Sequence, residues 1–232
     1  MKSLLFLFLS FSAMAQSNIV FDQISTTGTG CLPGTTSTTY SPDGTSFSLL
    51  FDEFRVEVPN HEQPAPPAPV PGRGPSYRPP QSASSIFLNQ KICNIVFNTT
   101  LPAGRMATSI TIKLQARGNT LIDPGIQAYF TTILVGHRGL ANSVGPQVKV
   151  VDKKMWTGRD AVAEDWIADT TATVPLQSSC STATNRSIKF ELKNHLEAKI
   201  LNNNPAKNGI LTVDSNDASG MLTFTVATAP CR

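Results

Sequence analysis

The amino-acid sequence predicts an all-β protein, an antiparallel β-sandwich, and three observations support this prediction. Apolar and polar residues alternate over many short segments, as in strands with one buried and one solvated face. Turn signals rich in Gly, Pro, Asn and Asp separate these segments at regular spacing. Charged residues make up only 15% of the chain, below the usual share of about a quarter, which suits strands whose outward positions carry Ser and Thr.

Residues 1–15 have the features of a secretory signal peptide. Lys2 supplies the charged start, residues 4–11 the apolar run, and residues 13–15 the small residues of a cleavage site. The apolar run is well short of the roughly 20 residues that span a bilayer. We therefore expect a secreted protein, extracellular or periplasmic and not membrane-spanning, with residues 16–232 forming a single β-sandwich domain.

The charge of the chain is weak. There are 19 Lys and Arg residues against 16 Asp and Glu, which gives a formal net charge of +3. Such a balance gives no basis for predicting binding to nucleic acid or to an anionic membrane. A glycan or a surface protein stays open as a partner.

The first elements surround two turn signals. The turn at residues 32–34 leads into a Thr-rich strand that ends near Tyr40, and the SPDG at residues 41–44 predicts a hairpin. The returning strand keeps a two-residue apolar period except between Asp52 and Glu53, where the phase slips once. A bulge or corner there would turn both halves toward the core. The inward residues would then be Phe47, Leu49, Phe51, Phe54, Val56 and Val58.

Residues 59–81 are rich in Pro and form a predicted inserted loop. Proline cannot donate the hydrogen bonds of a β-ladder, so we interpret this loop as an extended, polyproline-like excursion between two strands of one domain. Residues 64–71 could instead dock in an aromatic groove of a partner. A solvated spacer is the simpler interpretation.

Strand signals resume at Ile86 and continue to Leu101. The clearest alternation follows at residues 110–117, and residues 126–134 continue it after a turn at residues 123–125. This pattern predicts a meander of antiparallel strands. The remaining predicted elements are a strand at 148–151, a short helix at 161–168, a strand at 188–193 that continues or forms one helical turn at 196–201, a strand at 211–213, a hairpin loop at 215–220 and a last strand at 222–226.

The chain has four cysteines, Cys31, Cys93, Cys180 and Cys231, and none belongs to a CxxC pair. In an exported chain they predict two disulfides, for which three pairings are possible. We favour Cys31 with Cys93 and Cys180 with Cys231. Each bridge would close a loop of about fifty to sixty residues, which the chain-entropy model values at roughly 4 kcal/mol.

Asp52 and Glu53 are adjacent carboxylates, and paired carboxylates can hydrolyse glycosidic bonds when they face each other across about 5–10 Å. Neighbours on a strand normally point to opposite faces. A structural corner whose carboxylates accept backbone hydrogen bonds is therefore the preferred interpretation. There is also no GxSxG motif to supply a serine nucleophile.

Metal binding has two weak candidates. Asp214, Asn216 and Asp217 resemble part of a calcium loop, but Ala218 stands where a ligand is needed. The three histidines, at positions 61, 137 and 195, are far apart in sequence. We predict no metal and no cofactor.

Trp156 and Trp166 lie in the one region that combines aromatic and basic residues. Lys154 lies two residues before Trp156, in a basic neighbourhood with Lys149, Lys153, Arg159 and His137. A Trp face can stack on a sugar while cations contact acidic groups, so Trp156, Trp166 and Lys154 are candidate ligand-binding residues. The alternative is that both rings pack in the core, as Trp commonly does in secreted β-sandwiches.

Several motifs occur together along the chain. In order they are residues 28–34 (GTGCLPG), 41–45 (SPDGT), 51–54 (FDEF), Cys93 with the strand into 101–104 (LPAG), Cys180, residues 213–215 (VDS) and Cys231. This set resembles the secreted family named domain of unknown function 4360. The resemblance implies a small, exported, disulfide-containing β-rich protein, without an established activity or a catalytic residue to transfer. The Pro-rich loop and residues 136–169 depart from the family pattern.

Three classes of function follow. The leading one is a non-enzymatic exported domain that acts at the cell surface or outside the cell by adhesion, envelope attachment or partner binding. The first alternative is a carbohydrate-binding module that uses the region of Trp156 and Trp166. The second is a glycoside-type hydrolase that uses Asp52 and Glu53.

Overall fold

Thirteen β-strands build the part of the chain that the structure describes, and no helix occurs within it. The structure is a computed structural model that describes residues 21–42, 46–60, 86–136, 148–176, 178, 180–216 and 222–231. The predicted all-β class is confirmed. The strands are β1 Phe21–Thr27, β2 Thr36–Tyr40, β3 Ser46–Phe51, β4 Arg55–Val58, β5 Leu88–Leu101, β6 Arg105–Ile122, β7 Ile126–Gly136, β8 Val148–Thr157, β9 Val162–Pro175, β10 Arg186–Ile200, β11 Gly209–Thr212, β12 Ser215–Asn216 and β13 Leu222–Pro230.

The strands form two antiparallel sheets. The five-stranded sheet has the order β1-β5-β10-β7-β8. The eight-stranded sheet runs β12-β3-β13-β6-β11-β4, with β2 beside β3 and β9 beside β6. Residues from both sheets contribute to one hydrophobic cluster, so the predicted β-sandwich is confirmed.

Strand β6 organises the eight-stranded sheet. On one side, β9 pairs with residues 109–122 of β6. On the other side, β13 pairs with residues 105–113 and β11 with residues 120–122, so these two short strands lie end to end. The predicted loop at 215–220 therefore does not join a hairpin, because β11 and β13 both pair with β6.

The predicted meander is wrong. Strands β6 and β7 follow each other in sequence but lie in different sheets. The turn at residues 123–125 carries the chain across the core instead of back along one sheet. Each strand still buries every second residue, so the alternation alone is compatible with both arrangements.

The predicted short helix at residues 161–168 is also wrong. Residues 162–168 of this segment belong to β9, which pairs with β6 along its whole length. Buried side chains recur at even spacing at Trp166, Ala168, Ala172 and Val174, which is the period of a strand. Of the two possibilities for residues 196–201, the strand is confirmed as far as Ile200.

The corner predicted at Asp52 and Glu53 is confirmed. Strand β3 ends at Phe51 and β4 begins at Arg55, and the six apolar residues predicted to point inward are all buried. Strand β3 pairs with β13 and β4 pairs with β11. Because β13 and β11 lie end to end beside β6, β3 and β4 also follow each other in line, and the phase slip marks the break between them.

Phenylalanine side chains fill the space between the sheets. Phe97 of the five-stranded sheet lies 4.3 Å from Phe224 and 6.1 Å from Phe47, both of the eight-stranded sheet, between ring centroids. All three are buried. Each contributes about 1.5–3 kcal/mol by burial, and the ring pairs add about 0.5–1.5 kcal/mol.

Both favoured disulfide pairings are confirmed. The Cα atoms of Cys31 and Cys93 lie 5.2 Å apart, and those of Cys180 and Cys231 lie 5.7 Å apart. The first bridge is completely buried and ties the turn after β1 to β5. Two disulfides are typical of proteins that fold in an oxidising compartment.

The glycines of the GTGC motif allow a close approach of backbones beside the first bridge. The Gly30 N–H donates to the Ile92 carbonyl oxygen at 2.9 Å. A Cβ at Gly30 would lie 2.2 Å from the ring of Phe54, and Gly28 adopts a φ of +130°. The motif is therefore a packing feature of the fold.

The predicted Pro-rich loop, residues 59–81, follows β4 in sequence, and residues 61–85 lie outside the described residues. The Asn60 N–H donates to the Ile86 carbonyl oxygen at 2.7 Å, so the two ends of the loop meet. Residues 1–20, with the predicted signal peptide, also lie outside the described part. Within that part, no helix has the length and apolar character to cross a membrane.

Candidate ligand groove at the edge of the sandwich

The three residues predicted to bind a ligand come together where the edge strands of the two sheets meet. Strand β8 borders the five-stranded sheet, and β9 borders the eight-stranded sheet. Lys154 and Trp156 of β8 pair with the buried residues Phe130 and Ala128 of β7, so they point toward the core. Trp166 of β9 is buried opposite them. We call Lys154, Trp156, Glu164 and Trp166 the tryptophan seam.

Both indole rings belong to the core. Trp156 is 6% exposed and Trp166 is 2% exposed. Their centroids lie 5.5 Å apart, and Trp166 also lies 5.2 Å from Phe130. The rings pack as the core alternative describes, and they leave no open face on which a sugar could stack.

Glu164 completes the seam and was missed by the sequence reasoning. Its Oε1 accepts a 2.6 Å hydrogen bond from Trp156 Nε1 and lies 3.6 Å from the Lys154 ammonium group. That ammonium group lies 5.3 Å and 5.6 Å from the centroids of Trp156 and Trp166. A cation at such distances gains about 0.5–2 kcal/mol from the rings. The carboxylate is therefore held in place by one hydrogen bond and one ion pair from the other sheet.

A glycine makes room for the seam. Gly118 of β6 pairs with Trp166 in register. A Cβ at this position would lie 2.7 Å from Cζ2 of Trp166 and 2.0 Å from the carbonyl oxygen of Thr212. Glycine in a strand interior often marks such a close approach.

A groove of about 320 Å³ opens beside the seam. Its lining alternates polar and apolar groups: Leu121 is 53% exposed, and the Asn119 amide donates to Asp165 Oδ1 at 2.9 Å. Thr120 is completely buried, and its Oγ1 has no hydrogen-bond partner among the described residues. We call this surface the Glu164 groove, and it is lined by Asn119, Thr120, Leu121, Ala163, Glu164 and Asp165.

The groove offers a ligand several oxygen acceptors. The carboxylates of Glu164 and Asp165 each retain one oxygen that the seam and Asn119 do not use. Leu121 adds an exposed apolar surface, whereas the buried Thr120 hydroxyl is not accessible to a ligand. Such a mixture suits a ligand with several hydroxyl groups on an apolar frame.

The other acidic candidates are not among the residues that line the groove. Asp52 and Glu53 are exposed at the corner between β3 and β4, where the Asp52 N–H donates to the Thr35 carbonyl at 3.0 Å. The Asp214 side chain accepts a 3.0 Å hydrogen bond from the Thr212 hydroxyl. The contact at the corner is made by the Asp52 backbone, so the predicted hydrogen bonds to the Asp52 and Glu53 carboxylates stay a prediction.

The described ranges contain no group of three or more His, Cys, Asp and Glu side chains arranged to hold a metal ion. Asp217, His61 and His137 lie outside these ranges, as does the side chain of Asn216.

A second polar cluster, also missed by the sequence reasoning, lies on the outer face of the five-stranded sheet. The Tyr129 hydroxyl donates to Glu197 Oε2 at 2.5 Å, and the Gln90 amide donates to the same oxygen. The His195 ring meets Tyr129 edge-on at 5.5 Å, and the Lys153 ammonium group lies 6.0 Å from the Tyr129 centroid. We call these five residues the Tyr129 cluster.

Two groups of the Tyr129 cluster have shifted pKa values. Burial raises the pKa of Tyr129 above its ordinary value of 10.0, and Glu197 raises it further through the hydrogen bond and its charge. Burial lowers the pKa of His195 below 6.5, while the charge of Glu197 acts in the opposite direction. Shifts of this kind cluster at functional sites.

Only local sequence patterns point to the residues that the sequence reasoning missed. Alternation places His195 and Glu197 on one outward face of β10, two residues apart, and places Glu164 on the same face of its strand as Trp166. Their partners on other strands depend on sheet order and register, which the alternation does not determine.

A match to a known family includes the turn that the buried disulfide fixes. A family model described as domain of unknown function (DUF4360) matches residues 17–66. The predicted family is confirmed over this stretch. The DUF4360 match covers β1 to β4 and the GTGC motif. The residues of the groove and of the Tyr129 cluster lie after it.

No curated protein shows significant sequence similarity to the chain. Among solved structures, it aligns with TmCBM61 in complex with beta-1,4-galactotriose, at 8% identity, over 90% of this chain and 91% of that one, with a TM-score of 0.25. It also aligns with the enzymatically active domain of tailspike protein 4 of bacteriophage CBA120, at 12% identity, over 91% of this chain and 20% of that one, with a TM-score of 0.19. Both TM-scores are too low to support an argument about function.

Proposed function

We propose that this protein is a non-enzymatic exported domain that binds carbohydrate in the Glu164 groove. One observation carries the proposal: Trp156 and Lys154 hold the Glu164 carboxylate in the wall of a groove that also contains the pair of Asn119 and Asp165. A carboxylate fixed before the ligand arrives loses little conformational freedom on binding.

The chemistry of the groove fits a saccharide. A hydroxyl group of a sugar can donate to the Asp165 carboxylate, and Leu121, on the same face of the sheet, can pack against sugar C–H groups. The volume of about 320 Å³ is at the small end of ligand pockets, which hold about 300–1,000 Å³. A short stretch of a glycan chain is therefore the expected ligand.

The placement of the acids supports the proposal of binding without hydrolysis. Glu164 and Asp165 are neighbours on one strand, and each is engaged by a donor from the protein. Glycoside hydrolysis needs two carboxyl groups that face each other across the scissile bond. Asp52 and Glu53 are likewise adjacent, at an exposed corner. We therefore expect no released sugar from any glycan that binds.

The test is a glycan array with wild type and two matched variants. Asp165→Ala removes an acceptor from the groove, whereas Asp169→Ala makes the same change four residues along β9. Asp169 lies outside the groove but makes a similar contact. It accepts a hydrogen bond from the Gln115 amide, as Asp165 accepts one from the Asn119 amide. Loss of a hydrogen bond to a charged group costs about 1.5–3 kcal/mol, so Asp165→Ala should weaken binding at least tenfold and Asp169→Ala should not. Equal binding by the two variants, or no glycan bound by wild type, would reject the groove.

A further inference from the structure

The outer face of the five-stranded sheet has a second arrangement of groups that suits a ligand. In register, Gln90, Glu197 and Tyr129 lie side by side on β5, β10 and β7, and Met155 of β8 continues the row. The next row holds Ile92, His195, Thr131 and Lys153. The Tyr129 cluster therefore spans four adjacent strands.

We propose that the Tyr129 cluster is a second carbohydrate-binding site, separate from the Glu164 groove. Tyr129 and Gln90 both donate to Oε2 of Glu197, which leaves Oε1 of this carboxylate able to accept from a ligand. The Gln90 side chain retains its carbonyl oxygen and one N–H. A carboxylate and an amide side by side match two neighbouring sugar hydroxyl groups, one of which donates while the other accepts.

Apolar groups flank this hydrogen-bonding array. Met155 is 51% exposed and Ile92 is 42% exposed, and they lie on opposite sides of Glu197 and Tyr129 in the sheet. Polar groups at the centre with apolar groups beside them match a sugar, whose hydroxyl groups surround C–H faces. The Lys153 ammonium group, which lies near the Tyr129 ring, adds a hydrogen-bond donor.

His195 supports the cluster from within. Its Nε2 is buried and has no hydrogen-bond partner among the described residues, and Thr131 beside it is only 9% exposed. An ordinary solvated sheet face would leave such groups in water. The face is therefore packed around Tyr129, and we assign His195 a positioning role that holds the Tyr129 ring edge-on.

The two sites are on different sheets. The Tyr129 cluster lies on the outer face of the five-stranded sheet, whereas the groove is formed by β6 and β9 of the eight-stranded sheet. One molecule could therefore bind two glycan chains. The inference rests on the proposed function for the ligand class, but each site has its own reporter group: the Trp156 indole N–H for the groove and the Gln90 amide for the cluster.

The test is a titration of isotope-labelled protein with cello-, xylo-, manno-, laminari- and chito-hexaose, followed by two-dimensional NMR. At least one hexaose should shift the Gln90 side-chain amide signals saturably. That shift should persist in Asp165→Ala, and the dissociation constant should rise at least tenfold in Tyr129→Phe, which removes only the hydroxyl. Tyr40→Phe makes the same change at an exposed tyrosine of β2 and should leave binding unchanged.

The outcomes separate the two proposals. If no hexaose shifts the Gln90 amide, or if Asp165→Ala abolishes the shift, the second site does not exist, whatever the Trp156 signal does. If the Gln90 amide shifts and the Trp156 indole does not, the Tyr129 cluster stands and the groove fails. Retention of wild-type affinity by Tyr129→Phe would overturn the assignment.

Discussion

The indole nitrogen of Trp156 donates a 2.6 Å hydrogen bond to Glu164, and this contact joins the edges of the two sheets. Each sheet of a sandwich ends in an edge strand on either side. The unpaired backbone groups of such a strand can pair with another chain. Here a polar side chain of β9 is tied to an aromatic and a basic side chain of β8. The contact both closes the edge and fixes one wall of the groove.

Glu164→Ala should lower the free energy of unfolding by about 1–3 kcal/mol, because it leaves a buried indole N–H without its acceptor. Glu164→Gln keeps an oxygen for Trp156 and should lose less. Urea unfolding followed by tryptophan fluorescence gives both values, and Asp169→Ala on the same strand is the control. Equal stability of the Ala and Gln variants would show that the hydrogen bond has no stabilising role.

Gly118→Ala should destabilise the protein and disturb Trp166. The added Cβ would lie 2.0 Å from the Thr212 carbonyl oxygen and 2.7 Å from the indole, and overpacking of this kind costs about 1–3 kcal/mol, occasionally more. Gly34→Ala is the control, since a Cβ there meets no atom within 4 Å, although its φ of +87° disfavours alanine by about 1–2 kcal/mol. Only Gly118→Ala should alter tryptophan emission in the folded protein; unchanged emission would contradict the close approach.

The two disulfides should differ in their access to reductant. Cys31 and Cys93 are completely buried, whereas Cys180 is exposed and Cys231 is partly exposed. Under native conditions dithiothreitol should open the bridge between Cys180 and Cys231 first. Alkylation and peptide mass mapping at successive times check this order, and early labelling of Cys31 would refute it. Double replacement of Cys31 and Cys93 by Ala should cost about 2–5 kcal/mol.

His195 should make stability depend on pH on the acid side of neutrality. Its pKa is lowered in the folded state, so as the pH falls through 6.5 the unfolded chain takes up the proton first. The free energy of unfolding therefore falls until the pH drops below the folded pKa, and His195 has no such effect above the unfolded pKa. The charged and titratable neighbours in this reasoning are Tyr129, Lys153, Lys193 and Glu197.

His195→Gln is the matched variant for this prediction. Its unfolding free energy should change less than that of wild type between pH 7.5 and pH 5, with urea unfolding at each pH as the measurement. Parallel curves for the two proteins would mean that the pKa of His195 is the same in both states.

Replacement of residues 61–85 by a short Gly-Ser linker should leave the fold intact. The Asn60 N–H donates to the Ile86 carbonyl at 2.7 Å, so a few residues can close the gap. The entropic cost of closing a loop is also smaller when the loop is shorter. Melting temperature and the NMR spectrum of the core check the outcome. A melting temperature more than about 5 °C lower would indicate that the Pro-rich loop stabilises the sandwich.

The sequence by itself determined the local features. Apolar alternation identified most strands and their buried faces, the phase slip at Asp52 and Glu53 located the corner, and the number and spacing of cysteines led to the favoured pairings. Each of these depends on one strand, one turn or a pair of cysteines, and the side-chain period of two residues is a property of a single strand.

The tertiary structure decided which strands become neighbours. Strand β7 alternates in the same way whether it pairs with β6 or crosses to the other sheet, and residues 162–168 became a strand because β6 offers them a ladder along their whole length. The same choice brought Glu164 to Trp156 and Tyr129 to Glu197. Such contacts depend on packing between distant segments, and no local period encodes the partner of a strand.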